Sequence, residues 1–259
     1  MTILSSLNLG PADWALALLC ALLVGFTKTG VTGMGMLIIP IMAMIFPPSQ
    51  SPGVLLPMLI MGDVMAVGYY HRHAVWSHLL RLLPWAVAGI IAAFLLLKFN
   101  PMSERAFARM LGGIMLGCIL SVTAWKRTPG AETGDEPSSK AGRRMFAAFM
   151  GILGGIATMI ANAAGSIWSV YLLAVGLPKY AFVGTGAWFY LILNSFKVPF
   201  QVNLGNITAA TVAFNFMMLP LIVVGGVLGI LILPRINQAL FNRLIILFAG
   251  LAGLRLLLG

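Results

Sequence analysis

Hydrophobic residues in this chain form long runs that are separated by short polar breaks or breaks rich in glycine and proline. The runs cover residues 14–27, 31–46, 53–70, 76–97, 106–125, 145–160, 164–177, 180–199, 208–232 and 238–258. A helix needs about 20 apolar residues to cross a bilayer. The longer runs meet that length, so the pattern predicts an all-α membrane protein that crosses the bilayer several times.

One long polar stretch interrupts this pattern, at residues 126–144 (KRTPGAETGDEPSSKAGRR). It combines proline, glycine and serine with charges of both signs, which is typical of a linker. We therefore predict three units: an N-terminal transmembrane repeat over 1–125, a cytoplasmic linker over 126–144, and a C-terminal transmembrane repeat over 145–259.

The two halves resemble each other in the spacing of a few residues. Asp63 lies 16 residues after Pro47, and Asn194 lies 16 residues after Pro178. The pair Leu83-Pro84 precedes Gly89 in the same way that Leu219-Pro220 precedes Gly225. These coincidences together indicate an internal repeat, which is a common plan among transport proteins.

Each half begins with two short runs joined by a break. In the first half, runs 14–27 and 31–46 are joined by residues 27–35 (TKTGVTGMG); in the second, two runs are joined by residues 161–164 (ANAA). Each run by itself is too short to span comfortably. We therefore predict two re-entrant-like helix hairpins whose tips reach the middle of the membrane, where non-helical backbone is tolerated only beside protein or water.

The distribution of basic residues supports a hairpin plus three transmembrane helices in each half. That arrangement puts ten Lys and Arg residues on one side (Arg72, Arg81, Lys126, Arg127, Lys140, Arg143, Arg144, Lys179, Arg235, Arg243) and four on the other (Lys98, Arg105, Arg109, Arg255). The excess marks the cytoplasmic side. One continuous span per pair would split them eight against six. Two full spans per pair would keep the ten-to-four split, and only the shortness of the runs argues against them. Three full spans per half make the two repeats inverted.

Composition excludes several classes of protein. The chain is 60% hydrophobic and 8% charged, with a mean hydropathy of +1.00, far from the range of soluble proteins. The net charge of +10 follows from the cytoplasmic loops, so no nucleic-acid partner is expected. No cleaved signal peptide, nucleotide-binding loop or catalytic triad is visible. His71, His73 and His78 lack carboxylate or cysteine companions, so no metal, cofactor or enzymatic activity is predicted.

Three charged residues are embedded in apolar surroundings: Asp63, Lys28 and Lys197. A charge at membrane depth is costly and normally faces a cavity, a partner or a proton path. Lys28 is a counter-charge for an anion or an ion-pair partner of Asp63, and the two roles can coexist if the pair opens. Lys197 lies on one helix face with Asn194, or its long stem reaches the outer interface. Asp63 is either a proton-coupling group or a structural hydrogen-bonding group.

The two predicted hairpin tips carry the other candidates. A helix that starts at a tip presents free N–H groups that favour an anion, and glycine lets the backbone approach it closely. The alternative is that these small residues only permit tight helix packing. The candidate substrate-binding residues are Lys28, Thr29, Gly30, Thr32, Gly33, Asn162, Gly165, Ser166, Asn194 and Lys197.

Several of these segments resemble the sulfite exporter TauE/SafE family. They are residues 25–35 (GFTKTGVTGMG) and Gly62-Asp63 in the first half, and residues 161–165 (ANAAG), Gly184-Thr185, Asn194 and Lys197 in the second. The resemblance covers about residues 14–257 and adds Thr185 to the candidate site.

This resemblance implies a secondary transporter, working by alternating access, that exports sulfite, sulfoacetate or another organosulfonate across the inner membrane of a bacterial cell. The expected partners are a small anionic substrate and the lipid bilayer. Coupled protons and a homodimer are left open. An anion channel, in which the same tips line a pore, is the alternative.

Overall fold

A computed structural model of the chain describes residues 9–30, 38–47, 50–99 and 140–258. This part of the chain contains no β-strand, and the prediction of an all-α protein is confirmed. The helices are α1 Pro11–Thr29, α2 Ile38–Ile45, α3 Ser51–Tyr70, α4 Trp76–Phe99, α5 Lys140–Ala161, α6 Ala164–Ala174, α7 Lys179–Asn203, α8 Ala209–Ile232 and α9 Gln238–Leu258. Two 3-10 turns, His71–His73 and Leu233–Arg235, follow α3 and α8.

Local capping explains where several helices begin. The carboxylate of Asp13 accepts the N–H of Gly10 at 2.9 Å, just before Pro11 opens α1. The hydroxyl of Thr208 accepts the N–H of Thr211 at 3.3 Å and caps α8. Such contacts satisfy backbone donors that the first turn of a helix leaves unpaired. The bounds of α8 and α9 agree closely with the hydrophobic runs 208–232 and 238–258.

Five described segments are long and apolar enough to cross a membrane: Pro11–Thr29, Ser51–His73, Trp76–Phe99, Arg144–Ala161 and Ala209–Arg235. On α8, Val223, Val227 and Leu231 form an exposed aliphatic stripe at a spacing of four residues, which suits contact with lipid tails. The chain is therefore a multi-pass membrane protein. The span predicted over 106–125 and most of the linker lie outside the described residues.

The helix pairs differ in length from the prediction. α1 has 19 residues and α5 has 22, which correspond to about 28 and 33 Å of helix. The prediction that the first run of each pair is too short to span is therefore wrong. Only the second members are short within the described residues, with 8 residues in α2 and 11 in α6.

Two close helix contacts are built on glycine. A Cβ on Gly25 of α1 would collide with the carbonyl oxygen of Ile222 in α8, and one on Gly225 would collide with the carbonyl of Leu22. Between α4 and α5, a Cβ on Gly89 would collide with the carbonyl of Ile152. Small residues allow backbones to come this close. The same two helix pairs make the most extensive contacts in the described structure, and α3 packs on α7 between them.

Candidate functional site

Asp63 lies at the centre of a buried polar cluster where α1, α3 and α7 meet. Its carboxylate is fully buried, and Lys28 Nζ lies 2.6 Å from Asp63 Oδ1 with 12% of the lysine side chain exposed. Asn194 donates from Nδ2 to Asp63 Oδ2, also at 2.6 Å. The repeat spacing makes Asp63 and Asn194 equivalent positions of the two halves, and the structure brings their side chains into direct contact. The ion pair that the sequence left open for Lys28 is present.

Lys197 is completely buried one turn beyond Asn194 on α7. Its Nζ donates to the carbonyl oxygen of Thr158 at 3.1 Å, to the Thr158 hydroxyl at 2.8 Å, and to Asn162 Oδ1 at 2.6 Å. The alternative in which Lys197 reaches the outer interface is therefore wrong, because the side chain turns inward onto the end of α5. All three of these acceptors are electrically neutral.

Asn162 occupies the break between α5 and α6 and ties it to the first half of the chain. Its φ of 52° is in the left-handed region, where asparagine is tolerated better than most residues. Its Nδ2 donates to the carbonyl oxygen of Pro52 at 2.8 Å. Because Pro52 lies in the first turn of α3, this break sits beside the end of α3 rather than beside its middle.

We expect Asn162→Ala to be less stable than Asn162→Gly by about 1 kcal/mol. Both substitutions remove the contacts with Lys197 and Pro52, but only alanine adds the cost of a left-handed conformation. The difference between the two variants therefore isolates the backbone requirement. Unfolding in mixed micelles measures it, with Asn206→Ala and Asn206→Gly as a comparison at a partly buried loop asparagine whose φ is not positive. Equal stability of the two Asn162 variants would show that the turn relaxes.

Tyr190 joins the cluster although the sequence did not single it out. The Nζ of Lys28 lies 4.4 Å from the centroid of its ring, a distance typical of a cation–π contact. Its hydroxyl donates to the carbonyl oxygen of Gly165 at 3.4 Å. Tyr190 precedes Asn194 by four residues on α7, a spacing that marks one helix face. Thr158, which precedes Asn162 by four residues, was missed in the same way.

Other predicted site residues have packing partners. Thr29 donates its hydroxyl hydrogen to the carbonyl oxygens of Gly226 at 2.7 Å and Gly25 at 3.1 Å. Thr185 accepts the N–H of Val75 at 2.9 Å. A Cβ on Gly30 would crowd the backbone of Gly229 in α8 at 2.9 Å. Thr29 and Gly30 thus hold α1 against α8 in this structure, which is the role that the packing alternative gives them, and Thr185 ties α7 to the loop before α4.

The remaining predicted residues are only partly placed. The carbonyl oxygen of Gly165 accepts the hydroxyl of Ser169 at 2.6 Å. Ser166 lies in the first turn of α6, and its side chain is outside the described part. Thr32 and Gly33 lie outside the described residues.

The buried cluster carries an excess of positive charge. Lys28 and Lys197 contribute two positive charges against the single carboxylate of Asp63, and Lys28 already pairs with that carboxylate. No carboxylate contacts Lys197 within the described residues. A buried charge without a counter-charge is expensive, so an anion that enters beside Lys197 would be stabilised. This arrangement can hold an oxyanion through an ammonium group, an amide and a hydroxyl.

Comparison with known proteins identifies one relationship. A family model described as "Sulfite exporter TauE/SafE" matches residues 17–256 of the 259. No curated protein and no solved structure matches the chain.

Proposed function

Because the chain belongs to the sulfite exporter TauE/SafE family, we propose that it is a secondary transporter that exports a small sulfur-containing anion. Sulfite, sulfoacetate and other organosulfonates are the candidate substrates, and the inner membrane of a bacterial cell is the proposed location. The observation that carries this proposal is the buried cluster of Lys28, Asp63 and Lys197, whose formal charge is positive.

The anion would bind beside Lys197, where neutral groups now accept the hydrogen bonds of the ammonium. Asn162 and Thr158 would orient the substrate from α5, while Asn194 would position Asp63 from α7. Hydroxyl, amide and ammonium groups together suit the several oxygens of a sulfur oxyanion. The family description names an exporter, so the channel alternative is not favoured.

Alternating access between two inverted repeats is the proposed mechanism. It is supported by contacts that recur when the two halves are exchanged: α1 packs on α8 as α5 packs on α4, and α3 packs on α8 as α7 packs on α4. Asp63 and Asn194, which correspond in the repeat, meet where α3 and α7 cross. The two glycine-packed helix pairs would move as units around that central contact.

A flux assay tests the proposal. Proteoliposomes that contain the protein should release preloaded sulfite or sulfoacetate faster than protein-free liposomes, and the rate should saturate with concentration. Lys98→Ala is the control for substitutions of the buried lysines, because Lys98 is an exposed lysine at the end of α4. Absence of flux for every sulfur anion, from protein that is monodisperse in detergent, would overturn the proposed function. Conductance far above carrier turnover would favour the channel.

We expect Asp63→Asn to remove any dependence of transport on a pH gradient. Asp63 can bind and release a proton, whereas its partner Asn194 cannot. Asparagine keeps the shape of the side chain but loses both the titratable group and the negative charge that pairs with Lys28. Flux should be compared with and without an imposed pH gradient in wild type and variant. A wild-type flux that is indifferent to the gradient would rule out proton coupling and leave Asp63 as the structural partner of Lys28.

A further inference from the structure

The helices α3 and α7 run in opposite directions and make an equivalent contact at each of their two ends. Asp63 and Asn194 are separated by 131 positions. The same offset relates Gly53, in the first turn of α3, to Gly184, in the second turn of α7. Each glycine packs against the region where the other helix ends. The two contacts therefore correspond when the halves are exchanged, as the proposed inverted repeat requires.

The contact at Gly53 lies directly beyond the proposed anion position. A Cβ on Gly53 would collide with the Cβ of Asn206 and lie 3.1 Å from Gln201 Oε1. Asn206 donates from Nδ2 to Gln201 Oε1 at 2.8 Å, and Gln201 donates from Nε2 to the carbonyl oxygen of Met159 at 3.3 Å. Gln201 is buried and follows Lys197 by four residues, so both lie on one face of α7. These polar contacts close the end of α7 one turn beyond Lys197.

The contact at Gly184 closes the opposite end of the same two helices. A Cβ on Gly184 would lie 2.7 Å from the backbone oxygen of Tyr70 and 3.1 Å from the Cβ of His73. The offset of 131 positions makes Tyr70 the equivalent of Gln201. The ring centroid of Tyr180 lies 5.6 Å from that of His73 and 6.4 Å from that of Tyr70. Aromatic side chains thus occupy the place that amides occupy at the other end.

Charge indicates which of these ends faces the cytoplasm. The end that carries Gly184 also holds Arg72, in the 3-10 turn after α3, and Lys179, the first residue of α7. Residues 201–208, at the other end, include no lysine or arginine. Basic residues collect on the cytoplasmic side of membrane proteins. The Gly184 contact is therefore assigned to the cytoplasmic end and the Gly53 contact to the outer end.

We propose that the Gly53 contact is the outer gate of the transporter and the Gly184 contact is its cytoplasmic gate, on either side of the anion position beside Lys197. Both contacts are closed in this structure, which therefore corresponds to an occluded conformation. Opening one gate while the other stays closed would expose the anion to one side of the membrane at a time. This inference rests on the proposed function, since it assigns the access steps of the same transport cycle.

Alanine at either glycine should favour the opening of one gate. Gly53→Ala places a methyl group in the space of Asn206, and Gly184→Ala places one against the backbone of Tyr70. A minor conformation is typically populated at about 0.1–10%, so favouring it should raise access to the anion position from that side by about tenfold or more. Access from the other side should stay unchanged or fall. Asn206→Ala removes the hydrogen bond to Gln201 without adding an atom and should act as Gly53→Ala does.

Access is measured as the labelling rate of a single cysteine, Thr158→Cys, next to the ammonium of Lys197. The native Cys20 and Cys118 are first replaced by alanine. A membrane-impermeant methanethiosulfonate reagent is then added to sealed vesicles, either right-side-out or inside-out. The reference chain carries the three substitutions and intact gates, and each gate variant is compared with it from both sides.

Gly68→Ala and Gly186→Ala are the matched controls, one on each helix. Nothing stands within 4 Å of a Cβ on Gly68, and a Cβ on Gly186 would approach only the ring of Tyr190, at 3.4 and 3.9 Å. Both variants should be labelled at the reference rate from both sides. Asn206→Ala replaces Gly53→Ala, and Tyr180→Ala replaces Gly184→Ala, if the alanine variant of a glycine does not fold.

The sidedness of the labelling decides the outcome. Faster labelling from the outside alone in Gly53→Ala, and from the cytoplasmic side alone in Gly184→Ala, is the expected result. Equal acceleration from both sides, or none in either variant, would overturn the gates, because a contact that only stabilises the fold has no preferred side. Sulfite flux of the wild-type chain is measured in parallel. Its absence would reject the proposed function, whereas flux together with labelling that lacks sidedness would reject the gates alone.

Discussion

Lys197→Met is expected to abolish anion transport and still give a folded, monodisperse protein. Methionine has a similar unbranched stem and no charge, so it removes a completely buried cation without opening a large cavity. The substitution leaves the Thr158 hydroxyl and Asn162 Oδ1 without a donor, at a cost of about 1–3 kcal/mol. It also removes the cost of burying an ammonium. The two changes oppose each other, so stability should change little.

Anion binding should change much more than stability. A hydrogen bond to a charged group contributes about 1.5–3 kcal/mol, and 1.4 kcal/mol corresponds to about a factor of ten in affinity. We therefore expect sulfite affinity to fall by about 10- to 100-fold, with flux near the protein-free background. Flux from proteoliposomes and stabilisation by sulfite are the two measurements. Normal flux in Lys197→Met would assign Lys197 a purely structural role.

Lys28→Met is the matched variant, and it should fail for a different reason. Lys28 is the direct partner of a fully buried carboxylate. Removing one member of a buried ion pair costs about 3–5 kcal/mol, because the other charge is left uncompensated. Lys28→Met should therefore lower stability, and Asp63→Asn in the same chain should restore much of it. Lys197→Met should gain nothing from that second change. The roles of the two embedded lysines are thereby distinguished by the stability of the variants as well as by their transport activity.

The sequence predicted that Asp63 and Asn194 occupy equivalent positions in the two halves, because matched spacing carries information over long distances. These residues are 131 positions apart, and no local pattern connects them. The hydrogen bond between the two side chains was not predicted, because residues at equivalent positions of two halves need not touch. The all-helical, multi-pass character followed in the same direct way, since about 20 apolar residues are needed to cross a bilayer and few other folds need such runs.

The partners of Lys197 were not predictable in that way. Thr158 and Asn162 lie 39 and 35 positions before it on another element, and helix spacing defines only the neighbours on one helix. Tyr190 was missed because an aromatic residue in an apolar run also suits a lipid-facing surface. The length of α1 was underestimated because Pro11 and Asp13 lie outside the hydrophobic run that defined the predicted helix. In the structure they form the first turn and its cap, so they extend the helix.

Gly25→Ala is expected to destabilise the protein by about 3 kcal/mol, a large effect for one methyl group. A Cβ at this position would collide with the carbonyl oxygen of Ile222 and come within 2.6 Å of the backbone nitrogen of Gly226. Both obstacles are backbone atoms, which cannot rotate away as a side chain can. Overpacking a close contact typically costs about 1–3 kcal/mol, and relief here requires α1 and α8 to separate along their length. Unfolding in mixed micelles measures the change.

Gly68→Ala is the matched control. Gly68 lies in α3, and nothing stands within 4 Å of the position that its Cβ would take. Alanine there should leave stability unchanged or raise it by up to about 1 kcal/mol, because alanine is the better helix former. Equal effects at Gly25 and Gly68 would contradict the close packing of α1 on α8.

Gly155→Ala extends the test to the other half of the chain. Its Cβ would collide with the carbonyl oxygen of Ala86, so α4 and α5 would have to separate as α1 and α8 do in Gly25→Ala. Similar losses at Gly25 and Gly155 would mean that the two helix pairs are equivalent packing units, which an inverted repeat requires. If Gly155→Ala left stability unchanged while Gly25→Ala lowered it, the two helix pairs would be similar in their contacts but not in what those contacts contribute to stability. Rigid movement of two equivalent pairs would then lose its physical basis.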